Sequence, residues 1–312
     1  MDASSVLYRA YFAIPRSVTG TDGKPVNAVH GYLDMTSRLI ASRRPARVVH
    51  VYDHDWRPAP RVAAYDGYKS HRAEEPDDLS DQFELLAKVL EAAGFEQAEA
   101  PGWEAEDAIG ALAATRKPAE TVEIVTGDRD LIQLVRDPRV RVLFTVRGVT
   151  DLRVLDEAAV EERYGVPQAR YVDFAILRGD PSDGLPGVRG VGEKTARILV
   201  RAYPDLGALV EDARPQRLTG ALARCSPALR DAVRHAAPYL KAMRSVVPIR
   251  TDVRVRIWGG TRDDRRLDRL AKKHKLEGPV RRLRQALDGP RPPPAASPRR
   301  SGPSRGAGQG TA

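Results

Sequence analysis

The feature that most constrains the fold is an alternation of short apolar runs with amphipathic segments over the first half of the chain. Apolar runs typical of buried strands lie at residues 46–52, 121–126 and 140–145. Apolar residues at helical spacing predict helices over residues 27–43, 79–93, 104–115 and 128–135. Strands that alternate with helices in this way predict an α/β fold, with a mainly parallel sheet flanked by helices.

The pattern changes after about Asp156, where the strand-like runs cease. Helical spacing then predicts helices over residues 157–164, 168–177, 193–202 and 227–242, while residues 250–258 alternate weakly, as a strand could. Proline, arginine, serine and glycine dominate from residue 289 onward. We therefore expect an α/β core at residues 1–176, a helical subdomain at 177–288 and a disordered basic tail at 289–312.

Carboxylates stand where the predicted strands end and where a predicted helix begins. Because ligand sites of parallel sheets lie beyond the carboxyl ends of the strands, many of these acids should share one edge. Close carboxylates repel one another unless cations compensate, and their oxygens suit Mg²⁺ or Mn²⁺. Capping of helices is an alternative that explains single acids but not the whole set. The set consists of Asp53, Glu104, Glu106, Asp107, Asp128, Asp130, Asp180 and Asp183.

The stretch at residues 179–196 joins an acidic pair to a glycine-rich turn and a predicted helix. Glycine lets backbone N–H groups approach a phosphate closely, and a helix N-terminus adds a favourable dipole. An ordinary glycine-rich loop is the alternative, and the adjoining acids make it the weaker one. The stretch therefore suits an enzyme that handles phosphodiesters; its key residues are Asp180, Asp183, Gly187, Gly190, Gly192 and Lys194.

Composition narrows the class of protein further. No apolar run approaches the ~18 residues of a membrane helix, and Cys225 is the only cysteine, so an internal disulfide is excluded. A cytoplasmic location, with activity at the nucleoid, is the simplest expectation. The net charge of +9 divides into +5 at residues 262–288 and +4 at 289–312, which leaves residues 1–261 neutral. A basic C-terminal end suits a polyanion, although such tails often only increase solubility.

Seven short segments form one pattern across residues 2 to 200, namely residues 2–13, 27–31, 51–53, 68–72, 104–110, 126–130 and 179–196. Their order and composition resemble the 5′-3′ exonuclease family: the 5′-nuclease domain of bacterial DNA polymerase I and its stand-alone relatives, kin to flap endonucleases. The resemblance implies a PIN-like nuclease core followed by a helix-hairpin-helix-type (H3TH) subdomain that binds DNA. It implies metal-dependent hydrolysis of DNA from a 5′ end or at a 5′ flap, in replication or repair.

The resemblance also assigns a metal-binding role to the acids. Two ions of Mg²⁺ or Mn²⁺ are implied, which in such sites stabilise the attacking and leaving oxygens of a displacement at phosphorus. Glu106 stands where the family usually has Asp, and its longer side chain could change the metal spacing or leave this group in an outer shell. The implied metal-binding residues are Asp2, Asp53, Glu104, Glu106, Asp107, Asp128, Asp130, Asp180 and Asp183.

Residues 57–82 correspond to the segment that arches over the site in the family. Lys69, Arg72 and Arg61 are the implied catalytic cations, which attract the scissile phosphate and offset charge in the transition state. Arg57 is an alternative to Arg61 for the substrate-facing role, and a solvated basic loop is the alternative for Arg72.

The remaining implied contacts are with DNA. Tyr8 and Arg9 would lie near the terminal nucleotide, where stacking of a base on Tyr8 is about as well supported as core packing. The hairpin at residues 187–192, with Gly187, Gly190, Gly192 and Lys194, would hold the duplex backbone without reading bases. A K⁺ ion between hairpin and DNA is a further expectation. The DNA partners would be 5′ flaps, nicked duplexes or 5′-ended duplexes, and the protein a monomer.

Asp2 departs from the family's pattern because only Met1 precedes it. In the family this acid ends a central strand, which needs about five apolar residues before it. We therefore expect the natural start to lie upstream. Two rival functions remain open: a catalytically weakened, structure-specific DNA-binding protein, which the short start and Glu106 would suit, and a related metal-dependent RNase.

Overall fold

The computed structural model describes residues 1–72, 75–147, 151–217 and 219–289. Except for Gly289, the predicted basic tail lies outside the described residues, as do residues 73 and 74 of the arch segment. Among the described residues, no helix is both long enough and apolar enough to cross a membrane.

Two three-stranded sheets form the centre of the described chain. In the first, β1 (Val49–Val51) pairs in parallel with β2 (Glu96–Glu99), which pairs antiparallel with β6 (Arg256–Gly259). In the second, β3 (Val122–Thr126) pairs in parallel with β4 (Val140–Arg147), which pairs antiparallel with β5 (Asp151–Leu155). The α/β class is confirmed. The weak alternation at residues 250–258 corresponds in part to β6, which begins at Arg256 and lies at the edge of the first sheet.

Met1 and Asp2 join the two sheets. Asp2 forms a parallel bridge with Val51, and the N–H of Val51 donates to the carbonyl of Met1 at 2.9 Å. On the other side, the N–H of Asp2 donates to the carbonyl of Val125 in β3 at 3.0 Å. These two residues therefore occupy the position between β1 and β3, and the first helix begins directly after them. The upstream start stays an untested prediction.

Helices cover both sheets. The helices of the first half are α1 (Ala3–Ala13), α2 (Asn27–Arg43), α3 (Ala59–Ala64), α4 (Asp77–Ala92) and α5 (Ala105–Ala114). Those of the second half are α6 (Glu157–Tyr164), α7 (Tyr171–Arg178), α8 (Glu193–Ala202), α9 (Leu206–Asp212), α10 (Pro227–His235), α11 (Ala237–Val246), α12 (Asp264–Lys273) and α13 (Glu277–Asp288). Short 3₁₀ turns lie at Asp130–Leu134, Gln168–Arg170, Pro181–Asp183, Pro215–Arg217 and Ala221–Arg224.

Two predicted helices differ from the observed ones for local reasons. The segment predicted as one helix over 227–242 is two helices, because Pro238 stands in the first turn of α11 and cannot donate to a preceding helix. The segment at 128–135 forms only the 3₁₀ turn Asp130–Leu134.

The hydrophobic core sits in two clusters. One spans the sheets, α5 and the helices α6 to α11, and includes Phe174 and Leu199. The other lies under α1, α2 and α4 and takes in Leu267 of α12 and Leu283 of α13. α13 packs on α2 and α12 packs on α4, so residues 256–288 pack against the α/β body. The domain boundaries at 176 and 288 stay predictions.

Candidate active site

The predicted acids come together where β1 and β3 end. Asp2 caps α1, with one carboxylate oxygen accepting from the Ser5 N–H at 3.0 Å and the other from the Thr126 hydroxyl at 2.6 Å. Asp53, two residues after the end of β1, accepts from the N–H of Ala105 at 2.7 Å and so ties this strand end to the start of α5. Burial raises the pKa of Asp2 to about 7, and the nearby charges of Asp53 and Asp128 add to that shift against the two hydrogen bonds.

The three acids at the start of α5 surround one buried guanidinium. Arg61 is 1% exposed and forms ion pairs with Glu104, with Glu106 at 2.9 Å and with Asp107 at 2.8 Å. Its Nε donates to the carbonyl of Val246 at 3.0 Å. Burial raises the pKa of Asp107, and it raises that of Glu106 well above the usual range, although Arg61 opposes both shifts. The side chain of Arg61 is thus enclosed by protein, with its guanidinium engaged by the three acids.

Two further cations of the arch segment join the acids to the 3₁₀ turn Pro181–Asp183. Lys69 is buried and pairs with Glu104, and its N–H donates to the carbonyl of Asp183 at 2.9 Å. Arg72, with a side chain 40% exposed, pairs with Asp183 at 2.7 Å. Burial lowers the pKa of Lys69, but the Glu104 and Asp183 carboxylates more than offset this and the net shift is upward. These two cations therefore lie at the site, and Arg72 is open to solvent.

Four carboxylates, those of Glu106, Asp130, Asp180 and Asp183, line one small cavity of about 10 Å³. Burial raises the pKa of Asp130 well above its usual range, and the charges of Asp128, Asp183 and Asp180 add to the shift. Asp180 has cationic neighbours, with Arg129 at 3.4 Å and Arg178 at 3.8 Å. The site therefore carries a concentration of negative charge that the side-chain cations only partly balance.

This donor set fits a divalent metal ion. Every predicted ligand is a carboxylate, and Glu104, Glu106 and Asp107 each offer one oxygen within 4.8 Å of the others. The second oxygen of Asp107 is buried without a hydrogen-bond partner, although its first accepts from Arg61 and from the N–H of Arg250 at 2.8 Å. Hard cations with oxygen ligands are what such a set binds. Lys69, Arg61 and Tyr68 already occupy both oxygens of Glu104.

The predicted DNA contacts near α1 differ in exposure. Tyr8 is 38% exposed, with its ring edge-on to Phe83 at 6.1 Å between centroids, and burial of its inner part raises its pKa to about 12. Arg9 donates to the carbonyls of Gly127 and Val146 and is thereby held against the end of β3. The sequence reasoning did not single out Phe12, which is 76% exposed four residues after Tyr8 and so on the same face of α1.

The hairpin glycines fall into two kinds. Gly187 has φ +67°, and a Cβ there would lie 2.5 Å from the carbonyl oxygen of Arg178, so packing requires a glycine. Gly190, with φ +78°, and Gly192 have open space where a Cβ would stand, so a ligand can approach their backbone. Gly192 precedes α8, whose exposed Lys194 lies in the first turn.

Two family models cover most of the chain. One, described as the N-terminal resolvase-like domain of 5′-3′ exonuclease, matches residues 1–165, and one described as its C-terminal SAM fold matches residues 166–264. A 5′-3′ exonuclease of Streptomyces coelicolor is 44% identical over 307 residues, which cover 92% of this chain and 99% of that protein. The chain belongs to the 5′-3′ exonuclease family. A 5′-3′ exonuclease of Mycobacterium tuberculosis is 39% identical, covering 92% of this chain and 96% of that protein.

Solved structures share the fold of this 5′-3′ exonuclease family member. A T5 5′-exonuclease aligns with a TM-score of 0.57 at 15% identity, covering 92% of this chain and 96% of that one. Flap endonuclease-1 from Methanococcus jannaschii aligns with a TM-score of 0.56 at 17% identity, covering 92% and 91%. These structures confirm the predicted fold, and membership of the family confirms the predicted enzyme class, a nuclease. The donor set and the family together support divalent metal dependence.

The structure also shows partners that the sequence reasoning missed. The Tyr68 hydroxyl donates to Glu104 at 2.6 Å, and Ser4, Ser5 and Thr126 bond to the strand-end acids or to the backbone beside them. Tyr68 and both serines lie inside the segments that carry the family resemblance, so their positions were marked although their contacts were not.

Proposed function

We propose that this protein hydrolyses DNA phosphodiester bonds from a 5′ end or at a 5′ flap junction, in replication or repair, as a cytoplasmic monomer. The observation that carries the proposal is the meeting of strand-end carboxylates with Lys69 and Arg72 beside the 3₁₀ turn that leads into the glycine hairpin. The names of the relatives support the polarity of attack. A complex of the T5 flap endonuclease with DNA and metal ions supports the substrate class.

The acids have the role of holding Mg²⁺ or Mn²⁺, which when bound stabilises the charge of an in-line displacement at phosphorus. One oxygen of Asp107 accepts from Arg61 and from the backbone of Arg250, and its other oxygen is buried without a hydrogen-bond partner. The residues that would hold the ions are Asp2, Asp53, Glu104, Glu106, Asp107, Asp128, Asp130, Asp180 and Asp183.

The cations of the arch segment have different roles in this proposal. Arg72 is the exposed one and can turn from Asp183 towards a phosphate, whereas Lys69 stays beside Glu104 and lowers the repulsion that a phosphate meets among the acids. Arg61 has another role: it keeps the side chains of Glu104, Glu106 and Asp107 in place. Of the two candidates for the substrate-facing role, Arg57 is also engaged, donating to the carbonyls of Tyr68 and Asp66 at 2.7 and 2.6 Å.

The hairpin would hold the duplex away from the cut. The open backbone at Gly190 and Gly192 and the N-terminus of α8 suit a phosphate, with Lys194 adding charge. A K⁺ ion between this backbone and the phosphate is part of the proposal. Contacts of this kind are independent of base sequence and weaken with salt.

The deciding experiment compares 5′-flap DNA, nicked duplex DNA and single-stranded RNA in Mg²⁺. We expect cleavage of the DNA substrates and its loss in Asp128→Asn, with Asp231→Asn, an exposed acid on α10, as the control. Cleavage of RNA in preference to DNA would favour the RNase. Tight binding of flap DNA without metal-dependent cleavage would favour the DNA-binding protein.

A further inference from the structure

One tyrosine hydroxyl connects the glycine hairpin to the helical subdomain beneath it. Tyr239 lies in the first turn of α11, and its hydroxyl accepts from the N–H of Gly187 at 3.1 Å. The same hydroxyl donates to the carbonyl of Ile176 in α7 at 3.3 Å. Both its donor and its acceptor capacity are therefore used on backbone groups, one before and one inside the hairpin segment.

The Gly187 side of this contact controls where the open part of the hairpin lies. Gly187 is wedged against Arg178 and Gly179, with no room for a Cβ. Its N–H points to Tyr239 and is not available to a phosphate. The open backbone begins three residues later, at Gly190, so the anchor at Gly187 sets the direction in which that backbone is presented.

The ring of Tyr239 faces the arch segment. It packs edge-on against Tyr65, with centroids 6.2 Å apart and planes at 81°. Tyr65 caps the C-terminal end of α3, whose Arg61 reaches the carbonyl of Val246 at the other end of α11. α11 is therefore held to α3 near both of its ends, and Tyr239 contacts both the arch and the hairpin.

We propose that Tyr239 is a positioning residue that sets the separation between the hairpin and the arch, and hence which phosphodiester is cut. The inference rests on the proposed function, which gives the hairpin to the duplex and the arch cations to the scissile phosphate. Hydrolysis needs the reacting atoms aligned closely, and a shift of about 1 Å is enough to slow an enzyme ~100-fold. Loosening the hairpin relative to the arch therefore allows neighbouring bonds to compete for the site.

The test removes one oxygen. Tyr239→Phe keeps the ring against Tyr65 and deletes both hydrogen bonds of the hydroxyl, to the Gly187 N–H and to the Ile176 carbonyl. The substrate is a 5′-flap duplex labelled at the 3′ end of the cleaved strand, so that product length reports the position of the cut. Wild-type protein should give one dominant product. Tyr239→Phe should spread the cuts over adjacent positions and lower kcat/KM on the flap by at least ~5-fold, the loss expected for one of the two hydrogen bonds. Cleavage of a single-stranded 5′-ended DNA should be unchanged.

Tyr203→Phe is the matched control. The Tyr203 hydroxyl also holds a backbone N–H, that of Leu222 at 2.8 Å, and contacts Asp212, but it does not touch the hairpin. This variant should cut where the wild type cuts. Tyr65→Leu tests the arch side and should spread the products as Tyr239→Phe does. Thermal unfolding of each variant shows whether it is folded. If Tyr239→Phe does not fold, the distribution of products from Tyr65→Leu decides the test.

The outcomes separate the two proposals. If the wild type cuts at one position and Tyr239→Phe cuts there in the same proportion, the role of Tyr239 is overturned while the proposed function stands. A similar spread in Tyr203→Phe overturns it too, since general loosening would then suffice. If the wild type does not cut flap DNA, the proposed function fails and the role of Tyr239 falls with it.

Discussion

The acidic site and the glycine hairpin would serve the same DNA by opposite physical means. The acidic site is enclosed and densely charged, with three carboxylates around the buried Arg61. The hairpin offers uncharged backbone at Gly190 and Gly192, open to solvent. A buried charge that loses its partner is costly, whereas an exposed backbone contact contributes modestly. Changes in the first region should therefore abolish function or folding, and changes in the second should reduce affinity by degrees.

Metal removal should give the largest effect and the sharpest contrast. Dialysis against a chelator should lower cleavage of flap DNA by at least ~1,000-fold. The carboxylates are themselves negative, so they stabilise the charge that develops at the phosphate only through a bound metal ion. Binding of the duplex arm at the hairpin should fall far less. Gel-shift titration and cleavage assays in parallel check this. Equal losses of binding and cleavage would contradict the assignment of cleavage to the acidic site and of duplex binding to the hairpin.

Arg61→Met should chiefly reduce stability. It leaves Glu104, Glu106 and Asp107 without their shared counter-charge, which in buried sites costs about 3–5 kcal/mol. Arg72→Met is the matched change at an exposed cation and should lower kcat with little effect on the free energy of unfolding. Urea unfolding and steady-state kinetics on both variants test the pair. A stable Arg61→Met protein with normal KM and low kcat would instead make Arg61 a substrate contact.

Asp2 should make the stability of the metal-free protein depend on pH. Its pKa rises from 3.8 in the unfolded chain to about 7 in the fold, so the native state binds this proton more tightly. The stabilisation is complete below about pH 4 and is lost as the pH rises through 7. The free energy of unfolding of the wild type should therefore fall by an amount on the order of 2–4 kcal/mol between pH 4 and 8 because of Asp2, and Asp2→Asn should abolish this fall. Urea unfolding of both proteins in the presence of a chelator measures the free energy of unfolding at each pH. If it depends on pH in the same way for both proteins, the raised pKa of Asp2 is contradicted.

Gly190→Ala should give the smallest effect. The added Cβ meets no atom but forces alanine into φ +78°, at a cost of about 1 kcal/mol. Duplex affinity should fall ~5-fold because the methyl group stands where a phosphate would approach. Gly187→Ala should do the reverse, reducing stability more than affinity, since its Cβ meets the Arg178 carbonyl. Melting temperature and Kd for a nicked duplex separate the two glycines, and identical profiles would contradict the division.

Several helices were predictable from sequence. The predictions for α2, α6 and α8 match the observed bounds, because helical periodicity and capping are local properties. The gathering of acids at strand ends was predictable for a related reason, since parallel strands end at one edge. β6 was only weakly marked, because its few residues at the edge of the sheet show little alternation and its pairing partner β2 lies far away in sequence.

By itself, the sequence determined the α/β class, the family and the set of acids, because these follow from local periodicity and from motifs that remain recognisable in order. Only the tertiary structure decided how charges and polar groups pair across long separations. It enclosed Arg61 among the α5 acids, whereas sequence reasoning left the substrate-facing role open between Arg57 and Arg61. It also brought Tyr239 to Gly187, 52 residues away in the chain. The reason is physical: a side chain's role depends on its solvation and neighbours, which exist only once the chain has folded.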